Sequence, residues 1–236
     1  MLEVRNITFS IGQKSILKDV SFVASPGEVV GIVGANGAGK TTLLRLLSTL
    51  DIPDSGKVIF EGADIYHRPL KYRRNLGYMP EKVALYEDMT VKEYLTYRSR
   101  FKGEVPKRVR RRVSEVLELC HLTEFSSKLI APMSYGLKKR VALADALMLR
   151  PRILLLDDCL AGLDSAMRSI TSEILVNASS FSCVVITGHE FSDMVSWTNR
   201  FVVLSDGVST CEVTSTGVEK DEVVKRLSSL TGGVLK

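Results

Sequence analysis

The chain has 236 residues, of which 45% are hydrophobic and 25% charged, and its formal net charge is +5. That is the balance of a globular protein with a sizeable core, and it excludes disordered, fibrous and collagen-like classes. Apolar stretches such as Ile153 to Leu156 fall far short of the ~18 residues of a membrane span, so none is expected.

The opening MLEVRNITFSIG has no basic segment followed by an apolar run, and no secretory signal is expected. Leu2, Val4, Ile7 and Phe9, then Val20, Phe22 and Ala24, alternate as strands do, before a turn at Pro26 and Gly27. Val29 to Val33 is apolar apart from Gly31, which predicts a strand buried on both faces of a mostly parallel sheet. Thr41 to Leu50 has helical spacing. From about Thr90 to Ile130 the chain reads as mostly helix, with Val109, Val113, Val116, Leu117 and Cys120 on one stripe. Ile153 to Leu156 and Cys183 to Ile186 are again buried-strand runs. Each ends in polar residues, where open α/β sheets gather their ligands.

Cys120, Cys159, Cys183 and Cys211 lack metal or redox spacing and read as small apolar residues. Basic residues crowd one region, Arg98, Arg100, Lys102, Lys107, Arg108, Arg110, Arg111 and Arg112. They read either as a solvated helix face or as a surface for an anionic neighbour.

Chemistry concentrates at two places. Gly34, Ala35, Asn36, Gly37, Ala38, Gly39, Lys40 and Thr41 match G-x-x-x-x-G-K-[ST] between a predicted strand and a helix, with Thr42 next in line. Glycines let backbone N–H groups turn inward around phosphate oxygens, and the helix adds its positive end. Lys40 is then placed to reach β and γ phosphates and the Thr41 hydroxyl to ligate Mg²⁺. Ile153 to Asp158, ILLLDD, is an apolar strand ending in acid, which puts Asp157 near the metal and Asp158 one residue further into the site. Taken alone, the paired acids could simply cap the next helix, the less favoured of the two readings.

A third segment narrows the reading. MSYGLKKRVALADAL, Met133 to Leu147, resembles the signature motif and helix of the ATP-binding-cassette ATPases. The order of elements is also similar: phosphate loop, helical insertion, signature, acidic strand, AGLD at Ala161 to Asp164, then His189 in the place of the switch histidine. Within that superfamily, YMPE at Tyr78 to Glu81 looks most like the ABC-2 exporter group. The resemblance implies an α/β phosphate-loop core with an N-terminal antiparallel β layer and a helical insertion at about 90–135, in a single nucleotide-binding domain over 1–236. It further implies ATP and Mg²⁺ as ligands, Thr41, Glu81 and Asp157 around the metal, and Asp158 and His189 as catalytic groups. Ser134 and Gly136 would meet the γ-phosphate of a second subunit's ATP. The implied partners are that second ATPase subunit and membrane permease subunits, with the chain in the cytoplasm at the inner face of the membrane and no nucleic acid bound.

This sequence departs from the family pattern at four places. Ile11 stands where an aromatic ring usually stacks on adenine, so stacking is expected to be weak unless Phe9 substitutes. Glu81 stands for the commoner glutamine. Asp158 stands for the usual catalytic glutamate, followed by Cys159 in place of proline, and Tyr135 and Leu137 replace signature glycine and glutamine. Two other classes remain: a soluble cassette ATPase acting on nucleic acid or ribosomes, for which sustained heptads and a second cassette are missing, and one serving cofactor assembly.

Overall fold

The computed structural model describes residues 1–188 and 191–231. Strands β1 (Leu2–Ile11) and β2 (Lys14–Ala24) form an antiparallel hairpin, and β4 (Ser55–Phe60) and β5 (Ala63–Asp64) extend it to a sheet of order β2-β1-β4-β5. The alternation changes parity between Val4 and Ile7 because Asn6 (φ 51°) adds a bulge there. Across the hairpin Asp19 (φ 57°) does the same, and the two are joined by an Asn6 Nδ2 to Asp19 Oδ1 bond of 2.6 Å. An odd step in each strand thus keeps both apolar sets on one face.

The second sheet has the order β10-β9-β3-β8-β7-β6. It comprises β3 (Val29–Val33), β6 (Leu76–Met79), β7 (Ile153–Leu156), β8 (Cys183–Gly188), β9 (Arg200–Ser205) and β10 (Val208–Thr214), parallel except at β10. Every residue of β3, β7 and β8 is buried, as their continuous apolar runs predicted. Alternate residues of these strands feed two different cores. Val30, Ile32, Ile153 and Leu155 join helix α1 (Lys40–Leu47) and the antiparallel sheet. Val29, Val33, Leu154 and Leu156 face the helices of the other side.

Those helices are α3 (Val91–Phe101), α4 (Pro106–Leu119), α5 (Tyr135–Leu147) and α6 (Ser165–Ser179), with the short α2 (Pro69–Arg73) preceding β6 and α7 (Lys220–Leu230) closing the described chain. Thr90 starts α3 with a capping box, its hydroxyl and Glu93 satisfying each other's backbone N–H. In α4 Val109, Val113, Val116 and Leu117 are buried, and Cys120 follows them into the core. Cys159 and Cys183 are also buried, and all four cysteines are free thiols. Among the described residues no helix is long and apolar enough to cross a membrane.

The basic cluster divides in two. The Arg98 guanidinium donates to both carboxylate oxygens of Asp145 on α5 at 2.9 to 3.1 Å, and Lys102 Nζ lies 2.9 Å from Asp145 Oδ1. Arg112 turns toward Glu104 and Glu115. Arg100, Lys107, Arg108, Arg110 and Arg111 are exposed. Neither reading made from sequence, a solvated helix face or a surface for an anionic neighbour, covers the whole cluster, because part of the charge ties α3 to α5. Asp145→Ala would strip two cations of their shared partner. Because Arg98 and Lys102 keep 27% and 24% of their side-chain surface, the expected loss is roughly 2 kcal/mol, below that of a fully buried pair. A lower urea midpoint at unchanged slope would report it.

Candidate active site

The loop after β3 carries Gly34 to Gly39 and runs straight into α1. Gly34 must lack a side chain, since a Cβ there would run into the carbonyl oxygen of Leu204 on β9. Gly39 sits at φ 102° at the mouth of the helix, and a Cβ on it would press on Leu17 of β2 at 2.6 Å. Both are sites that only glycine fills without rearrangement. Gly39 offers the first turn of α1 no side-chain cap, and no acid lies in that turn. The orphan N–H groups and the positive end of the helix are therefore left for an anion.

Lys40, the first residue of α1, folds over the loop and donates to Gly34 O at 2.6 Å and Ala35 O at 3.0 Å. Burial lowers its pKa, opposed by the negative charges of Asp158 and Asp157. Asp157, at the end of β7, is 2% exposed. Its Oδ1 accepts from the Thr41 hydroxyl at 3.2 Å and from the Thr187 hydroxyl at 2.7 Å. Its Oδ2 is buried with no hydrogen-bond partner among the described residues. Asp158 follows in the left-handed region, φ 47°. Its N–H donates to Thr187 Oγ1 at 3.0 Å, and its carbonyl accepts from Lys139 Nζ at 3.0 Å. Thr187 thus holds one acid by its carboxylate and the next by its backbone.

Gly39, Lys40, Thr41, Asp157, Asp158 and Thr187 border one cleft of about 400 Å³ at the carboxyl ends of β3, β6, β7 and β8, together with Asn36, Gly37, Thr42 and Glu81 from the expected set; Gly34, Ala35 and Ala38 are not among its walls. Glu81 is exposed, just past β6. On β6 itself, burial first and Asp157 next push the Tyr78 phenol up to about 12, so it stays neutral beside the acids. A buried, unpartnered carboxylate oxygen beside a hydroxyl and a second carboxylate is a donor set that fits Mg²⁺. Among the described residues no group of three or more His, Cys, Asp or Glu could hold a metal unaided.

Ser134 and Gly136 are not among the walls of this cleft. Ser134 caps α5 by accepting from Leu137 N–H, and Gly136 packs on Met167 and Leu163. His189 lies outside the described residues. Phe9 is half-buried against the β-layer core, and Ile11 is 61% exposed at the end of β1. The suggestion that Phe9 replaces the missing aromatic ring is therefore not supported; Lys14 and Ile16 of β2 line the cleft instead. Four residues escaped the sequence reading: Thr187, Lys14 and Ile16 on the cleft, and Lys139 behind it.

Residues 17–161 match the family described as ABC transporter. The chain belongs to the ABC transporter family. It is 33% identical over 210 residues to the spermidine/putrescine import ATP-binding protein PotA of Nitrosospira multiformis, covering 88% of this chain and 57% of that protein. With the linearmycin resistance ATP-binding protein LnrL of Bacillus subtilis it shares 32% identity, covering 88% and 67%. A solved ATP-binding subunit of an ABC transporter superposes with a TM-score of 0.83 at 27% identity, covering 97% of this chain and 99% of that one. A dimeric ATP-binding cassette in a post-hydrolysis state, bound to ADP and phosphate, gives a TM-score of 0.81 at 27% identity, covering 92% and 100%. The chain spans 57% of PotA and 61% of a matching sulfate/thiosulfate import ATP-binding protein, CysA of Methylococcus capsulatus. What it shares with these ABC relatives is the ATP-binding cassette, of mixed α/β phosphate-loop fold.

Proposed function

We propose that this chain binds and hydrolyses ATP with Mg²⁺ as the nucleotide-binding subunit of an ABC transporter, driving separate permease subunits from the cytoplasmic face of the membrane. The observation that carries it is the convergence of Lys40, Thr41, Asp157 and Asp158 at the strand ends, with the buried Asp157 Oδ2 left unpartnered. The uncapped first turn of α1 and the loop N–H groups bind the phosphates, and Lys40 exchanges the Gly34 and Ala35 carbonyls for β and γ oxygens. Thr41 and Asp157, with Glu81 on the same cleft, would hold Mg²⁺, which when bound neutralises charge on the phosphates. Asp158 orients the attacking water and accepts its proton. Thr187 keeps the two acids apart in role, its hydroxyl occupied by Asp157 and its oxygen by the Asp158 N–H.

Ser134 and Gly136 stand at the start of another helix, outside the cleft. The reading that uses them pairs two subunits so that each signature faces the other's ATP. The dimeric, post-hydrolysis relative supports that arrangement. Exposed Arg100, Lys107, Arg108, Arg110 and Arg111 on α3 and α4 are the surface for a membrane partner. Export through an ABC-2 permease rests on the Tyr78 to Glu81 pattern and on the 32% identity to a resistance protein, against import proteins at 33% and 35%.

The test is phosphate release from ATP by the full chain, with and without EDTA, and identification of an integral membrane protein that co-purifies with it. Metal-dependent turnover and such a permease are the expected result. Turnover that persists in EDTA, or purification with soluble partners alone, would point to another class of cassette ATPase.

A further inference from the structure

Lysine is almost never fully buried without a partner that offsets its desolvation. Lys139 on α5 is 3% exposed. Its ammonium donates to Asp158 O at 3.0 Å and to Ala161 O at 2.7 Å, and it stands 5.1 Å from the centroid of the Tyr135 ring. That ring rests on Gly162, where a Cβ would meet it at 3.1 Å. One cation therefore joins the start of α5 to the turn that carries the acid. Tyr135, one departure from the family pattern, stands against this cation, and Cys159, another, directly follows the residue whose carbonyl it holds. Burial pushes the Cys159 thiol up to about 12, which leaves it neutral beside the lysine.

We propose that Lys139 is a positioning residue for hydrolysis: by holding the carbonyls of Asp158 and Ala161, its ammonium makes the reach of the Asp158 carboxylate depend on where α5 sits. Asp158 is anchored at its N–H by Thr187 and at its carbonyl by Lys139, with its backbone in the left-handed region that Asp tolerates better than most residues. Ser134 caps the same helix. Engagement of Ser134 by a second subunit's nucleotide is then felt at Asp158 of its own chain, which links the two sites through a single helix. This inference rests on the ATPase reading above.

Steady-state hydrolysis by the full chain tests it, with Lys139→Met, Lys139→Gln and Lys139→Arg. Loss of the tie misplaces the carboxylate but leaves the phosphate cradle intact. Lys139→Met should lower kcat by about 10-fold or more, with KM for ATP within about 2-fold of the parent. Lys139→Arg, which keeps a cation and its donors, should recover most of the rate. If the methionine variant does not fold, Lys139→Gln, with one N–H donor group and no charge, gives the same comparison. A variant that melts lower yet turns over at the parental rate overturns the proposal, as does a change confined to KM. A parent chain without ATPase activity would overturn the proposed function instead.

Discussion

Mixing Lys40→Ala chains with Ser134→Arg chains should restore hydrolysis that neither variant shows alone, if the working unit is a homodimer. Lys40 sits in the cleft and Ser134 outside it, as the N-cap of α5. Removing the lysine takes away the cation meant for the β and γ phosphates, and the arginine obstructs the helix start that meets the other ATP. Loss of one such contact typically lowers turnover by ~10²-fold or more. In a mixed dimer one site combines an intact phosphate loop with an intact signature, and the other carries both lesions. The rate should rise with the fraction of mixed dimers. A mixture no faster than its components would count against a composite site in a homodimer and favour two different ATPase chains.

Asp158→Asn should all but stop turnover, by ~10²-fold or more, while ATP stays bound and paired subunits accumulate. The asparagine keeps size and backbone but cannot accept the proton of the attacking water. Asp158→Glu should act in the opposite direction. Aspartate is one methylene shorter than the family's usual glutamate, and a misplacement of ~1 Å can cost ~10²-fold in rate. The backbone could in principle shift to compensate, since Cys159 lacks proline's rigidity. The structure argues against that, because a shift would break both the Thr187 and the Lys139 bonds to Asp158. Single-turnover rates on the two variants and the parent decide the matter. An asparagine variant as fast as the parent would remove Asp158 from the chemistry.

The parts legible in the sequence were those whose signal is local. Continuous apolar runs gave β3, β7 and β8, and the glycine spacing gave the loop, because strand burial and tight backbone turns restrict residue type position by position. Thr187 carries no such mark. It closes an apolar run like any strand-end threonine, and only the parallel register of β7 beside β8 brings it to Asp157. Lys139 sits within the KKR of α5, where sequence alone suggests a solvated face, yet the helix turns it inward to the acidic turn. The Arg98 to Asp145 pair spans 47 residues, so no window of sequence could contain both. Hairpin geometry likewise decides that Lys14 and Ile16, and not Ile11 or Phe9, line the cleft. The catalytic carboxylate and the histidine assignment rest on family order, with His189 outside the described residues.

The central sheet divides the interior so that its odd and even residues never share a neighbourhood. One side backs the phosphate cradle with α1 and the antiparallel layer, the other carries α3, α4 and α5. Mutational drift on α3 and α4 meets α5 or the sheet before it reaches the groups that handle phosphate, whereas α5 touches the acidic turn directly through Lys139. On the proposed reading, α3 and α4 are the parts that can be reshaped for a different partner, with α5 and the sheet standing between them and the phosphate groups.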